Sequence, residues 1–387
     1  MATQRERYLA FLNRSMNDRG IRDALARLAT LKGVEWALDE ALDGDPDSLG
    51  CDNGILDLRT GELTPGRQEQ LITRSTGILY SPEAECPRFR GFVDEIMGKD
   101  SSMVEYLQRA SGYSLTGRVD EQILLYLVGK GCNGKSVLLE ALRHVYGDYS
   151  TATPMDTFEE RQRGAIPNDL AALRGVRLVT ASESSQGGQL DEAKVKRVTG
   201  GDTISARFLY KEFFEFRPAF KIWLAANHRP SVRGTDDGIW RRLHIVPFEQ
   251  SFIGREDKSL PGALRDEAPG ILNWAVQGAR AWYEGGLRPP PRVLSETLQC
   301  RQETDVIGRF LEECTSSGDN LSVPAGILYQ RFLEWCSGNG VLRPMTNARF
   351  GREMRERGVQ KDRQSSGNVY VGIGLVAKEP TPGGKLW

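Results

Sequence analysis

The stretch Gly129-Lys130-Gly131-Cys132-Asn133-Gly134-Lys135-Ser136 has the spacing G-x-x-x-x-G-K-S. Its chemistry is phosphate binding. Backbone N–H groups of such a loop converge on phosphate oxygens, and the helix that follows adds the partial positive charge of its N-terminus. Lys135 can reach the β- and γ-phosphates of a nucleoside triphosphate, and the Ser136 hydroxyl can ligate Mg²⁺. Gly129, Gly131, Cys132, Asn133, Gly134, Lys135, Ser136 and Val137 are therefore the candidate nucleotide contacts. The spacing alone arises by chance, but its setting is specific. An apolar run, Leu124 to Val128, leads into it and a helical pattern, Val137 to Leu142, leads out.

Residues downstream supply what phosphoryl chemistry needs beside such a loop. Arg177 to Ala181 is a short apolar run ending in Ser182-Glu183. An acid at a strand tip can orient water or hold Mg²⁺ through water, which makes Glu183 a catalytic and metal candidate. Asp191 to Gly201 reads as a charged helix stopped by Gly200-Gly201. Ile204 to Phe208 and Phe213 to Phe216 alternate around Leu209-Tyr210-Lys211-Glu212, the pattern of a β-hairpin. Its tip offers an aromatic, Tyr210, and a cation, Lys211, with Arg207 beside them; alone, this is an ordinary exposed turn. Phe220 to Ala226 is a buried strand ending in Asn227-His228-Arg229-Pro230. Asn227 can sense a γ-phosphate or position water, and it also suits a plain turn. Arg241-Arg242 lies just before the strand that starts at Leu243. An arginine there can stabilise transition-state charge, including from a neighbouring subunit.

These candidates need a sheet to hold them. Residues 116–250 alternate apolar runs with helical stretches, the mark of an α/β domain. Ahead of it, residues 1–115 read as a mixed N-terminal domain. Helical periodicity runs to about residue 45, then a hairpin over Gly54–Leu58 and Glu62–Thr64 turns at Gly61, and helix returns over 88–117. Residues 251–318 read as a helical extension in which Pro289-Pro290-Pro291 marks a linker. Residues 319–387 read as a small separate unit of helix, helix and hairpin, similar to a winged helix. From residue 320 onward it carries ten Lys/Arg against five Asp/Glu, which suits a phosphate backbone or a protein contact.

Composition narrows the classes. Formal net charge is −1, so any nucleic-acid contact must be local. Six cysteines without C-x-x-C spacing and three histidines point away from zinc and from a disulfide framework. No run reaches the ~18 apolar residues of a membrane span. The polar Met1–Arg7 lacks a signal-peptide core, so a cytoplasmic protein is expected.

The ordered set from Gly129–Ser136 through Leu178–Glu183, Val195-Lys196, Gly200-Gly201-Asp202, Ala225-Ala226-Asn227 and Trp240-Arg241-Arg242-Leu243 resembles superfamily 3 helicases. It resembles more closely the primase-helicase group of phages, plasmids and large DNA viruses. Asn53 to Leu58 with Thr60-Gly61-Glu62 is similar to the helicase-associated domain ahead of these motors. The resemblance implies an AAA+-like P-loop NTPase core and an ATP- and Mg²⁺-dependent DNA helicase or translocase working as a ring, a hexamer. In that reading Lys135 binds phosphate, Ser136 holds Mg²⁺, Glu183 prepares water and Asn227 senses the γ-phosphate. Arg242 reaches in from the neighbour, preferred to Arg241 because the arginine directly before the apolar strand is the usual position in the family it resembles. The Tyr210–Lys211 hairpin lines the pore and contacts single-stranded DNA with Arg207. Two departures stand out. Ser182-Glu183 has one acid where many members have two, which leaves the division of Glu183 between Mg²⁺ and water open. The region before residue 50 is too short for a primase domain, so no primer synthesis is expected from this chain, and a separate primase or replication protein is a candidate partner. An ATP-switched initiator or adaptor that does not unwind, and an RNA helicase or packaging-type translocase, are the alternatives.

Overall fold

The computed structural model describes residues 42–160, 168–182, 188–209, 211–234, 236–341, 344–365 and 367–376, with Asp23 and Arg27. Most of the helical stretch expected before residue 45 lies outside them. From residue 42 onward, the first sheet is three-stranded and antiparallel, made of β1 (Ser48–Cys51), β2 (Gly54–Asp57) and β3 (Leu63–Thr64). The expected hairpin is β2–β3, with Gly61 at φ 79° in its turn. Helices α1 (Pro87–Ile96) and α2 (Ser101–Leu115) follow. Then come β4 (Leu124–Val128), α3 (Lys135–Tyr146), β5 (Ser150–Ala152), α4 (Asn168–Ala171), β6 (Leu178–Ser182) and α5 (Glu192–Thr199). A small hairpin, β7 (Ile204–Ala206) and β8 (Phe214–Phe216), precedes β9 (Lys221–Ala226), α6 (Asp237–Trp240) and β10 (Leu243–Pro247).

Five of these strands form one parallel sheet in the order β10-β4-β9-β6-β5. Parallel strands covered on both faces read as near-continuous apolar runs, as Leu124–Val128 and Lys221–Ala226 do. Alternate residues serve opposite faces. Leu125, Leu127, Trp223 and Ala225 join the core under α3, while Leu124, Tyr126, Ile222 and Leu224 join the core on the far side.

After β10 come α7 (Leu260–Asp266), α8 (Ala268–Gly285) and α9 (Pro291–Thr304). The helices α1, α2, α7 and α8 share one core with α3 although residues 116–250 separate them in sequence. Two features tie this layer together. Glu267, between α7 and α8, accepts from the backbone N–H groups of Arg88 and Phe89, each at 2.9 Å. It thereby satisfies donors that the first turn of α1 leaves without partners. Helices α2 and α8 cross at glycines. A Cβ on Gly112 would stand 1.8 Å from the Ala279 nitrogen, and one on Gly278 would stand 1.9 Å from the Gln108 oxygen.

Two buried cations fasten this layer to the N-terminal edge of the sheet. Arg177 donates to the carbonyls of Leu115 (2.8 Å) and Ser48 (2.9 Å), and its guanidinium lies 4.6 Å from the Tyr149 ring centroid. Lys221 donates to the carbonyls of Thr116, Arg118 and Ala219. Burial pushes the pKa of both groups down.

The proline run is not a linker. Pro290 is extended and Pro291 opens α9, where a missing N–H costs nothing. Val293 is fully buried, and the Thr297 hydroxyl accepts from the backbone N–H of Ile245 at 3.1 Å. Helix α9 therefore covers β10, the edge strand of the sheet.

The C-terminal unit comprises α10 (Val306–Cys314), β11 (Thr315–Pro324), α11 (Ala325–Gly338), α12 (Asn347–Glu356), β12 (Lys361–Gln364) and β13 (Gly367–Leu375), with antiparallel sheet order β11-β13-β12. Its apolar core takes in Ile307, Phe310 and Cys314 of α10. The unit thus starts near Val306, and the expected boundary at 319 falls inside β11. Among the described residues no helix is long and apolar enough to cross a membrane.

Candidate nucleotide site

The loop 129–134 connects the C-terminal end of β4 to the N-terminus of α3, and its glycines are there for stated steric reasons. A Cβ at Gly129 would lie 2.2 Å from the Phe248 oxygen. Gly134 has φ 86° and stands against Ile96 and Phe92 of α1. Cys132 also adopts a positive φ, 56°, and is exposed. The segment after β10 braces the loop from outside: Asn133 Nδ2 donates to the Phe248 carbonyl at 3.1 Å, and Phe252 N–H donates to the Cys132 carbonyl at 2.8 Å.

Lys135 is 6% exposed and points back along the loop. Its Nζ donates to the Gly129 carbonyl at 2.5 Å and to Asn133 Oδ1 at 2.9 Å. The Asn133 side chain therefore positions the lysine and braces the loop, which leaves its backbone N–H as its means of meeting phosphate. Ser136 is exposed on the first turn of α3.

A cavity of about 210 Å³ joins Gly131 through Val137 to Ser182 and to Ala225–Asn227. Three strand ends that are far apart in sequence, those of β4, β6 and β9, converge there. Asn227 follows β9 directly and sits in the wall, as the sequence leads one to expect. Glu183 lies outside the described residues, but Ser182, its neighbour, lines the cavity. Among the described residues no group of three or more His, Cys, Asp or Glu forms a metal-binding cluster. Mg²⁺ in nucleotide sites needs no such cluster, because phosphates and water supply most of its ligands. The hydroxyl of Ser136 beside a phosphate loop fits that donor set.

The arginine pair is split by burial. Arg242 is 8% exposed; its guanidinium donates to Thr199 Oγ1 (3.1 Å), Gln122 Oε1 (3.1 Å) and the Gly238 carbonyl. Burial, then the like charge of Arg241, lowers its pKa. Arg241 is exposed and donates to the same Gln122 oxygen at 2.8 Å. Arg242, the arginine expected to reach a neighbour, has its head group bonded inside its own chain, and Arg241 holds the surface position. Both precede β10, whose register pairs Leu243 with Leu124 and Pro247 with Val128. They therefore lie at the opposite end of the sheet from their own phosphate loop, about a five-residue strand or ~16 Å away.

The expected hairpin forms, with Ile204 opposite Phe216 and Ala206 opposite Phe214. Tyr210 lies outside the described residues. Lys211 is exposed, and Arg207 stacks its guanidinium 4.7 Å from the Phe213 ring centroid. Phe208, Leu209 and Phe213 are 42%, 53% and 58% exposed. Sequence reasoning treated the two phenylalanines as strand residues, although their positions flanking the tip were a usable signal.

Three family models match successive parts of the chain. These are D5 N terminal like over residues 2–98, a family of unknown function (DUF5906) over 127–242, and Poxvirus D5 protein-like over 302–371. The last match begins close to the structural boundary at Val306. A protein of Acanthamoeba polyphaga mimivirus named "Putative helicase" is 30% identical over 77% of this chain and 34% of its own length. One of Frog virus 3 with the same designation is 25% identical over 62% of this chain and 27% of its own. A "Putative primase" of African swine fever virus is 23% identical over 85% and 37%. The chain thus spans roughly a quarter to just over a third of the length of these relatives. Among solved structures, the apo A form of the NrS-1 C terminal region superposes with a TM-score of 0.52 at 9% identity, over 92% of this chain and 91% of that one. That likeness concerns the fold. The matched families and the viral relatives support a protein of the D5-like primase-helicase group.

Proposed function

We propose that the chain is the motor of a helicase-like replication protein, a superfamily 3 member that hydrolyses ATP with Mg²⁺ as a ring and moves along DNA. The observation that carries this reading is the cavity where the phosphate loop, the tip of β6 and Asn227 meet at one end of a parallel sheet. Bound Mg²⁺ would neutralise charge on the phosphates. Lys135 exchanges its loop acceptors for phosphate oxygens. Ser136 offers its hydroxyl to the metal, Glu183, next in sequence after β6, orients water, and Asn227 holds the γ-phosphate end. Arg241 completes the site of the adjoining subunit, since neither arginine reaches the loop of its own chain. The hairpin supplies the DNA contact: Lys211 and Arg207 pair with phosphate, and exposed aromatics stack on bases. The C-terminal unit, with the element order of a winged helix, offers a second contact through α12 and the β12–β13 hairpin.

The test is unwinding of forked DNA by wild type and by a Lys211→Ala/Phe213→Ala double variant. Exposed turn residues contribute little to stability, so basal hydrolysis persists. DNA-stimulated hydrolysis and unwinding are lost, and the salt dependence of single-strand binding weakens. Unwinding at the wild-type rate would remove the hairpin from the mechanism. Nucleotide-dependent DNA binding by the wild type without any unwinding would favour an initiator or adaptor.

A further inference from the structure

On β9 the wall of the phosphate cavity stops at Asn227, and His228, Arg229 and Pro230 lie outside it. The turn they form is held at both ends. At its start the Ala226 carbonyl accepts from the Gly129 N–H of the phosphate loop at 3.2 Å. At its end Pro230 is buried, and its carbonyl accepts from the Cys300 thiol of α9 at 3.9 Å. Between these points Arg229 reaches α9 with both arms of its guanidinium. Nη2 stands 2.8 Å from Glu296 Oε2, and Nη1 stands 2.6 Å from Glu303 Oε1. The two glutamates lie two helical turns apart on one face of α9, ~10 Å along its axis. A point charge cannot serve both; a forked guanidinium can. Glu303 is steadied in turn by Gln299 Nε2 at 3.0 Å.

Helix α9 is itself fixed. Val293 is fully buried, Thr297 holds the backbone of Ile245, and Arg301 pairs with Asp237 at 2.7 Å. The fork therefore ties the turn to the edge of the sheet. Its contribution to folding is modest, because the side chains of Arg229 and Glu303 are 29% and 51% exposed and ion pairs open to water are worth little. Its effect is on direction. A side chain that meets a reacting phosphate must be held to within ~0.5 Å, and Asn227 is the first residue past its strand.

We propose that Arg229 is a positioning residue for hydrolysis: its fork on Glu296 and Glu303 sets the turn after β9 and so aims the Asn227 amide at the γ-phosphate. Arg229 touches no nucleotide and acts through Asn227. This rests on the nucleotide reading above.

The test is a double-mutant cycle on ATP hydrolysis under single turnover, with ADP binding and thermal melting alongside. Arg229→Gln keeps a donor toward one glutamate and cannot span both. Its hydrolysis rate should fall about ten-fold or more. Its ADP affinity and melting temperature should stay near wild type, because ADP has no γ-phosphate for Asn227 to meet. Arg229→Lys keeps the charge at one glutamate and should recover part of the rate. Asn227→Ala should also slow hydrolysis, and adding Arg229→Gln to it should cost nothing further, since the two residues act as one unit. Glu296→Gln combined with Glu303→Gln should reproduce the Arg229→Gln loss with the arginine in place, and it carries the same test if Arg229→Gln does not fold. Losses that multiply in the Asn227→Ala/Arg229→Gln chain would overturn the proposal. So would wild-type turnover in Arg229→Gln, or a loss of ADP affinity in step with turnover. A wild-type chain that neither binds nor hydrolyses ATP would instead overturn the nucleotide reading, and this inference with it.

Discussion

At the residue scale, Lys135 and His244 show how burial sets two different outcomes. Lys135 donates to the Gly129 carbonyl and Asn133 Oδ1, loop acceptors that a bound phosphate can replace. Lys135→Ala removes a charge from the site and little volume from the core. Hydrolysis should fall at least about a hundred-fold, as for loss of one transition-state donor. The melting temperature should stay near wild type, and steady-state turnover beside a melting curve checks both. His244 sits in β10, where its Nδ1 shares a hydrogen bond with the Tyr106 hydroxyl. Burial lowers its pKa from 6.5 to about 4. The unfolded chain therefore takes up a proton first as pH falls. The stability this group contributes is full above pH 6.5 and is lost between 6.5 and 4, up to roughly 3 kcal/mol. Urea midpoints at pH 7.5 and 5 should show that loss, and His244→Gln should shallow it.

At the element scale, the α2–α8 crossing has no slack. Gly112→Ala forces the Cβ into the backbone of α8, and Gly278→Ala forces it into the backbone of α2. Each should cost about 1–3 kcal/mol as the helices part, measured as a lowered denaturation midpoint. A neutral result at both positions would mean that the layer slides freely. The consequence should extend to the nucleotide site, because α1 of the same layer abuts Gly134. The proline run belongs to this scale as well. Read locally, three prolines break a helix; in the fold they start one, and α9 holds the loop after β9 through Arg229, paired with Glu296 (2.8 Å) and Glu303 (2.6 Å).

At the scale of the whole molecule, the phosphate loop and the arginine pair occupy opposite ends of one sheet, a layout on which the proposed role of a neighbour's arginine rests. An arginine supplied by a neighbour accounts for ~10³–10⁵ in rate in related systems. Lys135→Ala and Arg241→Ala chains should each be inactive and should regain part of the hydrolysis when mixed, because one interface per pair keeps both intact groups. Arg242→Ala should behave differently. It removes the guanidinium that donates to Thr199 and Gly238 and one of the two donors to Gln122, and so lowers the stability of each chain. Complementation by Arg242→Ala chains, with none by Arg241→Ala, would return the role to Arg242.

What could be read without a structure was local. Glycine spacing at 129–134, alternation over 204–216 and apolar runs at 124–128 and 221–226 depend on backbone sterics and side-chain periodicity among near neighbours, so the phosphate loop, the hairpin and the strand ending at Asn227 were legible. What only the tertiary structure decided depends on segments distant in the chain. Which of Arg241 and Arg242 is buried turns on Thr199 and Gln122. Whether Pro291 ends or begins an element turns on the edge strand that α9 covers, and α10 joins the last unit because its Ile307 and Phe310 are buried against Phe332 and Phe350. Burial is a property of the packed whole, and adjacent residues of identical chemistry acquire different roles only once the chain has closed around one of them.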